Sequence, residues 1–168
     1  LTEKTQFIGP LSRFMLPYEK NVSTPIDAYQ LLVVLSGPEP QRSLLEEKVV
    51  QQVQKTSLKT AIIQGKPGED PRKNHQNITF FSHLPTETFA HLLRSTPLIL
   101  SRSGYSSIMD YDFLGLKKVI CIPTPGQTEQ EYLGKYLASQ GSIFCQIQKE
   151  FDLQIAMRKV EEKKGFEK

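Results

Sequence analysis

Short apolar runs alternate with longer amphipathic segments after Asp27, and this alternation constrains the fold more than any other feature of the chain. The runs LLVVL, LIL and VICI are continuously hydrophobic, as expected for strands that are buried on both faces of a sheet. Strands that alternate with helices form βα units, which build a parallel sheet. The sequence therefore predicts an α/β fold with a doubly wound parallel sheet of about six strands.

The sequence predicts six strands and five helices. Strands are predicted at residues 30–36, 60–64, 78–81, 98–101, 118–122 and 142–146, and helices at 42–56, 86–94, 106–114, 129–140 and 151–162. Helical spacing gives the first two helices apolar stripes, predicted to be core, made of Leu44, Leu45, Val49, Val50 and Val53 and of Phe89, Leu92 and Leu93. The polar segment 65–76, rich in Gly and Pro, is predicted to be a surface loop.

The chain of 168 residues is predicted to hold one domain. Residues 1–28 contain three prolines before any strong periodic element, so we expect a linker that leads from an upstream region into the start of the domain. Residues 29–168 would form the domain itself. Cys121 and Cys145 lie in apolar, β-branched runs, which favours buried reduced thiols over a disulfide or a metal site.

Charge and hydropathy exclude two classes of partner. The net charge is only +3, and the basic residues are mixed with acids, as in RKVEEKKGFEK, so the pattern indicates solvated helix faces and no nucleic-acid binding. No apolar run approaches the roughly 20 residues of a membrane span, and no signal-peptide pattern is visible at the start. We therefore expect a soluble, cytoplasmic protein whose only membrane contact is peripheral.

The turn after the fourth strand is the strongest candidate for a binding site, because doubly wound sheets bind ligands beyond the carboxyl ends of their strands. Gly104 leaves the backbone open to a ligand, and the first N–H groups of the following helix favour a diphosphate. Ser106 and Ser107 add hydroxyl donors, and Asp110 lies on the same helical face as Ser106, where it could accept from ribose hydroxyls. Helix capping by Ser103 or Ser106 is the alternative interpretation, and the spacing alone leaves both open.

Two further turns are less specific. Gly37 follows the first strand and would suit a phosphate, but two prolines in SGPEPQR remove N–H donors, which favours a simple βα turn. Gln127, Gln130 and Glu131 follow the fifth strand at i, i+3 and i+4, so they would share one helical face. They could bind vicinal sugar hydroxyls or serve only solvation, and both interpretations stay open.

A metal site is not predicted. Asp110 and Asp112 have the spacing of a D-x-D metal motif, but side chains two positions apart on a helix diverge by ~200° and cannot hold one ion. His75, His83 and His91 have no partners at ligand spacing. His83 follows a strand end, however, and could contact a ligand.

Taken together, these turns resemble the C-terminal domain of glycosyltransferase family 28, the family of the N-acetylglucosaminyltransferase that forms lipid II. The resemblance runs from FIGPLSR to YLASQG and is most specific in SRSGYSSIMDYDFLGLKKVICIPTPGQTEQEYLGKYL. It implies a Rossmann-like domain, the C-terminal half of a GT-B fold. It also implies that the acceptor site and the general base belong to an N-terminal domain that this chain lacks.

The resemblance assigns roles to particular residues. It places the donor diphosphate on Arg13, Gly37, Ser103, Gly104, Ser106 and Ser107, although Pro38 stands where the family has a phosphate-binding serine. It places the ribose on Asp110, where the family usually has Glu. The sugar would contact Tyr105, Gln127, Gln130 and Glu131, with a carboxylate in place of the family's second amide. The uracil base would lie against Phe81, Ser82 and His83.

The implied activity is inverting transfer of a sugar from a nucleoside diphosphate sugar, expected to be UDP-linked, to an acceptor hydroxyl, without a metal or cofactor. The expected partners are the donor and the N-terminal domain, through which the full-length protein would contact a membrane. A non-catalytic nucleotide-binding module or one subunit of a split transferase is an alternative. A sugar-nucleotide 2-epimerase is another, but it needs carboxylates and a histidine facing the sugar, a pattern that the three histidines do not supply.

Overall fold

A computed structural model describes residues 11–15, 28–71 and 73–166. The strands are β1 (Leu31–Val34), β2 (Thr60–Ile63), β3 (Ile78–Phe81), β4 (Leu98–Ser101), β5 (Val119–Cys121) and β6 (Phe144–Cys145). They pair in parallel in the order β3-β2-β1-β4-β5-β6. The predicted doubly wound, six-stranded α/β fold is confirmed.

Helices cover both faces of the sheet. They are α1 (Gln41–Val53), α2 (Thr86–Ser95), α3 (Tyr105–Leu114), α4 (Thr128–Ser139) and α5 (Leu153–Val160), with short 3₁₀ turns at Arg13–Met15 and Gln148–Glu150. Alternate strand residues face α1 and α5 on one side of the sheet, and α2, α3 and α4 on the other. Both faces are therefore buried, which is why the strands read as continuous apolar runs.

The structure corrects the predicted bounds and two predicted core positions. Most elements end one to three residues away from the prediction, and β6 has only two residues, which pair with β5. Leu44 is 47% exposed, since the buried stripe of α1 follows Leu45, Val49 and Val53 and leaves its neighbour outside. Cys121 is fully buried, but Cys145, on the edge strand, is only partly buried; both are free thiols.

The strand order places a topological switch point between β1 and β4. Val34 pairs with Ser101, so the chain leaves both strands at the same level and turns to opposite faces of the sheet. A crevice forms where two such connections separate.

A segment of the predicted linker also reaches this crevice. Phe14 is buried among α2 and α3, with its ring centroid 6.1 Å from that of Phe89. Residues 11–15 are thus packed against the domain. The remainder of the predicted linker, at residues 1–10 and 16–27 and including FIGP, lies outside the described residues.

Candidate functional site

A cavity of about 160 Å³ opens at the switch point, beyond the carboxyl ends of β1 and β2 and beside α3. Its walls are formed by Arg13, Val34, Leu35, Ser36, Ile63, Gly65, His83, Leu84, Phe89, Ser107, Asp110 and Tyr111. Four of the predicted site residues, from three distant parts of the sequence, therefore line one cavity: Arg13, His83, Ser107 and Asp110. Ser36 brings the loop of Gly37 to its edge.

The start of α3 lies at this cavity without a cap. Gly104 is the residue before the helix, and no side chain of the described residues accepts a hydrogen bond from the first turn. The capping interpretation of Ser103 and Ser106 is therefore wrong. Because the first N–H groups of a helix have no partner within it, they are available to a ligand, and the positive end of the helix dipole favours an anion.

The other helix starts in the described part of the chain carry their own negative or capping groups. A Glu39 carboxylate oxygen accepts from the N–H of Ser43 in α1 at 3.2 Å, and Asp152 accepts from the N–H of Ile155 in α5 at 2.8 Å. Acidic residues also occupy the first turns of α2 and α4. Among the described helices, α3 alone has neither an acidic residue nor a capping oxygen at its start.

Asp110 is 2% exposed and joins residues 12 and 13 to α3. Its Oδ1 accepts from the Ser12 hydroxyl at 2.8 Å and from the Arg13 N–H at 3.3 Å, and its Oδ2 accepts from Arg13 Nε at 2.8 Å. The guanidinium of Arg13 also lies 5.5 Å from the ring centroid of Phe89. A carboxylate accepts about four hydrogen bonds, so Oδ2 retains capacity for one more.

Arg102 is a functional candidate that the sequence analysis missed. Its side chain is 1% exposed, directly before the Ser103-Gly104 turn. One terminal nitrogen donates to the carbonyls of Ile122 and Pro123 at 3.0 and 3.1 Å, and the other donates to the carbonyl of Gln41 at 2.7 Å. Burial lowers the pKa of Arg102 to about 10, so the group stays charged at neutral pH. The sequence places this arginine between a buried strand and a glycine turn, but that pattern does not distinguish a buried arginine from a surface one.

The polar residues of α4 form a cluster behind the turn before α3. The Ser103 hydroxyl donates to the Gln130 carbonyl at 2.7 Å, and the Gln130 amide oxygen accepts from the Thr124 N–H at 2.9 Å. The Gln130 amide nitrogen donates to the Gln127 side chain. Glu131 accepts from the Gly126 N–H at 3.1 Å. Three of the four predicted sugar-binding residues thus lie together, but they do not line the cavity beside Asp110.

The loop after β1 is held by its own ion pair. Gly37 has a φ of 94°, a conformation that glycine adopts without strain. Glu39 accepts from Arg42 Nε at 3.0 Å, and Arg42 also donates to the Gly65 carbonyl at 2.8 Å. These hydrogen bonds, first from Arg42 and then from Ser43, lower the pKa of Glu39 to about 2. The Glu39 carboxylate is therefore ionised at neutral pH and paired with the Arg42 guanidinium.

The remaining predicted residues are not among those that line the cavity. Tyr105 is 53% exposed, and Ser106 is also exposed, on the first turn of α3. Phe81 packs edge-on against Tyr29, with 6.4 Å between the ring centroids. The Ser82 carbonyl accepts from the Lys66 N–H at 2.8 Å. Of the predicted base-binding residues, His83 is the one that the cavity includes.

Comparison with known proteins shows the family of the chain. The family model for the glycosyltransferase family 28 C-terminal domain matches residues 23–167. The chain belongs to this family. No curated protein matches the chain in sequence.

Solved glycosyltransferases share the fold of this family 28 domain. The glycotransferase of kitacinnamycin gives a TM-score of 0.62 at 14% identity, over 83% of this chain and 35% of that one. VinC, solved in complex with dTDP, gives a TM-score of 0.55 at 14% identity, over 77% of this chain and 32% of that one. MurG of Acinetobacter baumannii gives a TM-score of 0.53 at 17% identity, over 89% of this chain and 43% of that one. The family 28 domain therefore spans less than half the length of each.

Metal clusters and membrane-spanning helices are both absent from the described residues. In the parts of the family 28 domain that the structure describes, no three His, Cys, Asp or Glu side chains are grouped so that they could hold a metal ion. No helix of the described ranges combines the length and the apolar character needed to cross a bilayer.

Proposed function

We propose that this chain binds the donor of a glycosyltransferase that moves a sugar from a UDP-linked donor to an acceptor hydroxyl with inversion. The observation that carries the proposal is the start of α3, which has free N–H groups and no acidic or capping side chain, beside a cavity that contains Arg13 and Asp110. A diphosphate is the group that such a helix start favours. VinC, a glycosyltransferase of similar fold, was solved with dTDP, which supports a nucleoside diphosphate.

Each candidate residue has a role in this proposal. The N–H groups at Gly104 and in the first turn, the hydroxyls of Ser106 and Ser107, and Arg13 bind the diphosphate, with Gly37 at its edge. The open position on Asp110 Oδ2 accepts a ribose hydroxyl. The base lies towards His83 and the neighbouring Phe81 and Ser82. Tyr105 and the cluster of Gln127, Gln130 and Glu131 face the sugar.

The chemistry assigned to these residues is electrostatic. Negative charge grows on the diphosphate as it leaves the anomeric carbon, and fixed N–H groups at a helix start stabilise that charge without reorganising. Losing one such donor typically costs about a hundredfold or more in rate. We propose that Arg13 supplies the positive charge and that the reaction proceeds without a metal.

The acceptor site and the general base are proposed to belong to a further domain, since the chain spans only 32% to 44% of the chains it resembles in structure. We propose a cytoplasmic setting, with membrane contact through that domain. The chain alone is therefore expected to bind the donor and to transfer nothing.

Calorimetric titration with UDP tests the proposal. Wild-type chain should bind UDP, and Asp110→Ala should weaken binding at least tenfold, because it removes both a ribose acceptor and the anchor of Arg13. Asp112→Ala is the matched control. It removes a carboxylate of the same type two residues further along α3 and should leave the UDP affinity unchanged. Absence of UDP binding by wild type, or equal affinities of Asp110→Ala and wild type, would overturn the proposal.

A non-catalytic module is the second candidate, and one observation favours it. The Glu39 carboxylate occupies the start of α1, where it would repel a diphosphate that approached the loop after β1. A module that has lost donor binding would give no heat with UDP in the same titration. Binding by wild type would therefore exclude a module that has lost donor binding.

A further inference from the structure

Arg102 is a buried cation whose partners are all neutral. Its three hydrogen bonds go to backbone carbonyls, and its Nε has no partner within the described structure. No carboxylate of the described residues pairs with it. Burying a charge is unfavourable unless an opposite charge accompanies it. The fold therefore keeps a positive charge without a neighbouring negative charge. A favourable interaction with a negative group would offset the free energy of burying it.

The position of this charge points to the compensating group. The carbonyls that Arg102 holds belong to the first residue of α1 and to the segment directly after β5, while its own backbone leads into the start of α3. The charge thus lies where three connections at the carboxyl ends of the strands converge. The positive end of the α3 dipole is at the same place, so both sources of potential favour an anion there.

The acidic side chains of the neighbouring loops are not available to neutralise Arg102. Glu39 accepts from Arg42 and Ser43, and Asp110 accepts from Ser12 and Arg13. Neither carboxylate is therefore free to offset the charge of Arg102.

We propose that Arg102 makes the site selective for a ligand that carries a diphosphate: it positions the three loops and acts through the protein interior as the fixed counter-charge of the bound anion. The proposal rests on the proposed function and adds a determinant of specificity to it. Arg102 does not touch the ligand. Its field acts at a distance, through a medium less polarisable than water, where charges interact more strongly.

A comparison of charged and uncharged ligands separates this electrostatic role from a structural one. We would measure the affinities of wild type, Arg102→Gln and Arg102→Lys for UDP and for uridine by calorimetry. Arg102→Gln should weaken the affinity for UDP about tenfold or more and change the affinity for uridine less than about twofold, because only UDP carries the diphosphate charge. Arg102→Lys keeps the charge and should retain most of the preference for UDP.

The control is Arg158→Gln, which makes the same charge change at an exposed position on α5 and should leave both affinities unaltered. Equal losses for UDP and uridine in Arg102→Gln would show a purely structural role and overturn the proposal, as would an unchanged UDP affinity. If Arg102→Gln does not fold, loss of the UDP preference in Arg102→Lys overturns it instead. If wild type binds no UDP, the proposed function fails as well. If only the proposal for Arg102 fails, wild type still binds UDP, so the two failures are distinguishable.

Discussion

At the scale of single residues, Gly104 is a glycine that the fold itself does not require. Its φ of −69° and ψ of 145° suit any residue, and a Cβ placed there meets no heavy atom within 4 Å. Gly165 is the opposite case: its φ is 80°, and a Cβ would lie 2.6 Å from the backbone of Lys117. The space beside Gly104 is therefore open for a ligand, whereas the space beside Gly165 is filled by the chain.

Gly104→Ala should accordingly lower UDP affinity severalfold, because the added methyl enters the proposed diphosphate site, while the free energy of unfolding changes by less than about 0.5 kcal/mol. Calorimetry and urea unfolding measure the two quantities. Gly165→Ala should do the reverse: it should destabilise the fold by more than about 1 kcal/mol and leave the UDP affinity of the folded protein intact. A stability loss in Gly104→Ala comparable to that in Gly165→Ala would contradict this interpretation.

The sequence indicated some residues of the site better than others. Ser107 and Asp110 line the cavity, and the sequence indicated them because their spacing relative to a strand end is a local pattern. Arg102 could not be distinguished from a surface arginine, since its partners at Gln41 and Pro123 come from distant parts of the sequence. Tertiary contacts of this kind leave no periodic signal.

At the scale of elements, the start of α1 is fixed by a side chain from its own preceding loop. Glu39 accepts from Arg42 at 2.8 and 3.0 Å and from the N–H of Ser43 at 3.2 Å. The sequence showed Gly37 and two prolines in this loop but gave no sign that the glutamate would turn back onto the helix. The loop is consequently closed upon itself, in contrast to the open turn before α3.

This contact predicts a pH dependence. The folded-state pKa of Glu39 is about 2, below the ordinary value of 4.5, so its stabilising effect is complete above pH 4.5 and is lost as the pH falls towards 2. Glu39→Gln should therefore be less stable than wild type in urea at pH 6, with a difference that shrinks at pH 3. Glu47→Gln, an exposed substitution on the same helix, should show no such trend. A difference that grows as the pH falls would contradict the assignment.

At the scale of the whole molecule, the core lies on both sides of one sheet whose centre is the β1–β4 pair. The number and type of strands followed from the sequence, since continuous apolar runs report burial on both faces. The strand order could not be predicted, because β1 and β4 pair with each other although they lie far apart in the chain. Leu44 shows the same limit in miniature, because an apolar residue beside a buried stripe is not itself buried.

The central position of β4 predicts an uneven distribution of stability. Leu100 is fully buried, so Leu100→Ala should destabilise the fold by about 2 to 5 kcal/mol through lost contacts and a cavity. Ile155 on α5 is 42% exposed, and Ile155→Ala should cost less than half as much. Urea unfolding followed by circular dichroism measures both. Equal losses would indicate that the centre of the sheet is not the main source of stability.

The pairing of β1 with β4 also sets when the site arises during biosynthesis. A chain that emerges from the ribosome N-terminus first can pair β1 with β2 and β3 early, but one side of β1 stays open until residues 98–101 have left the tunnel. An open strand edge is a template for unwanted pairing. Nascent chains that stall before β4 should therefore lack the cavity at the switch point and expose an open edge of β1.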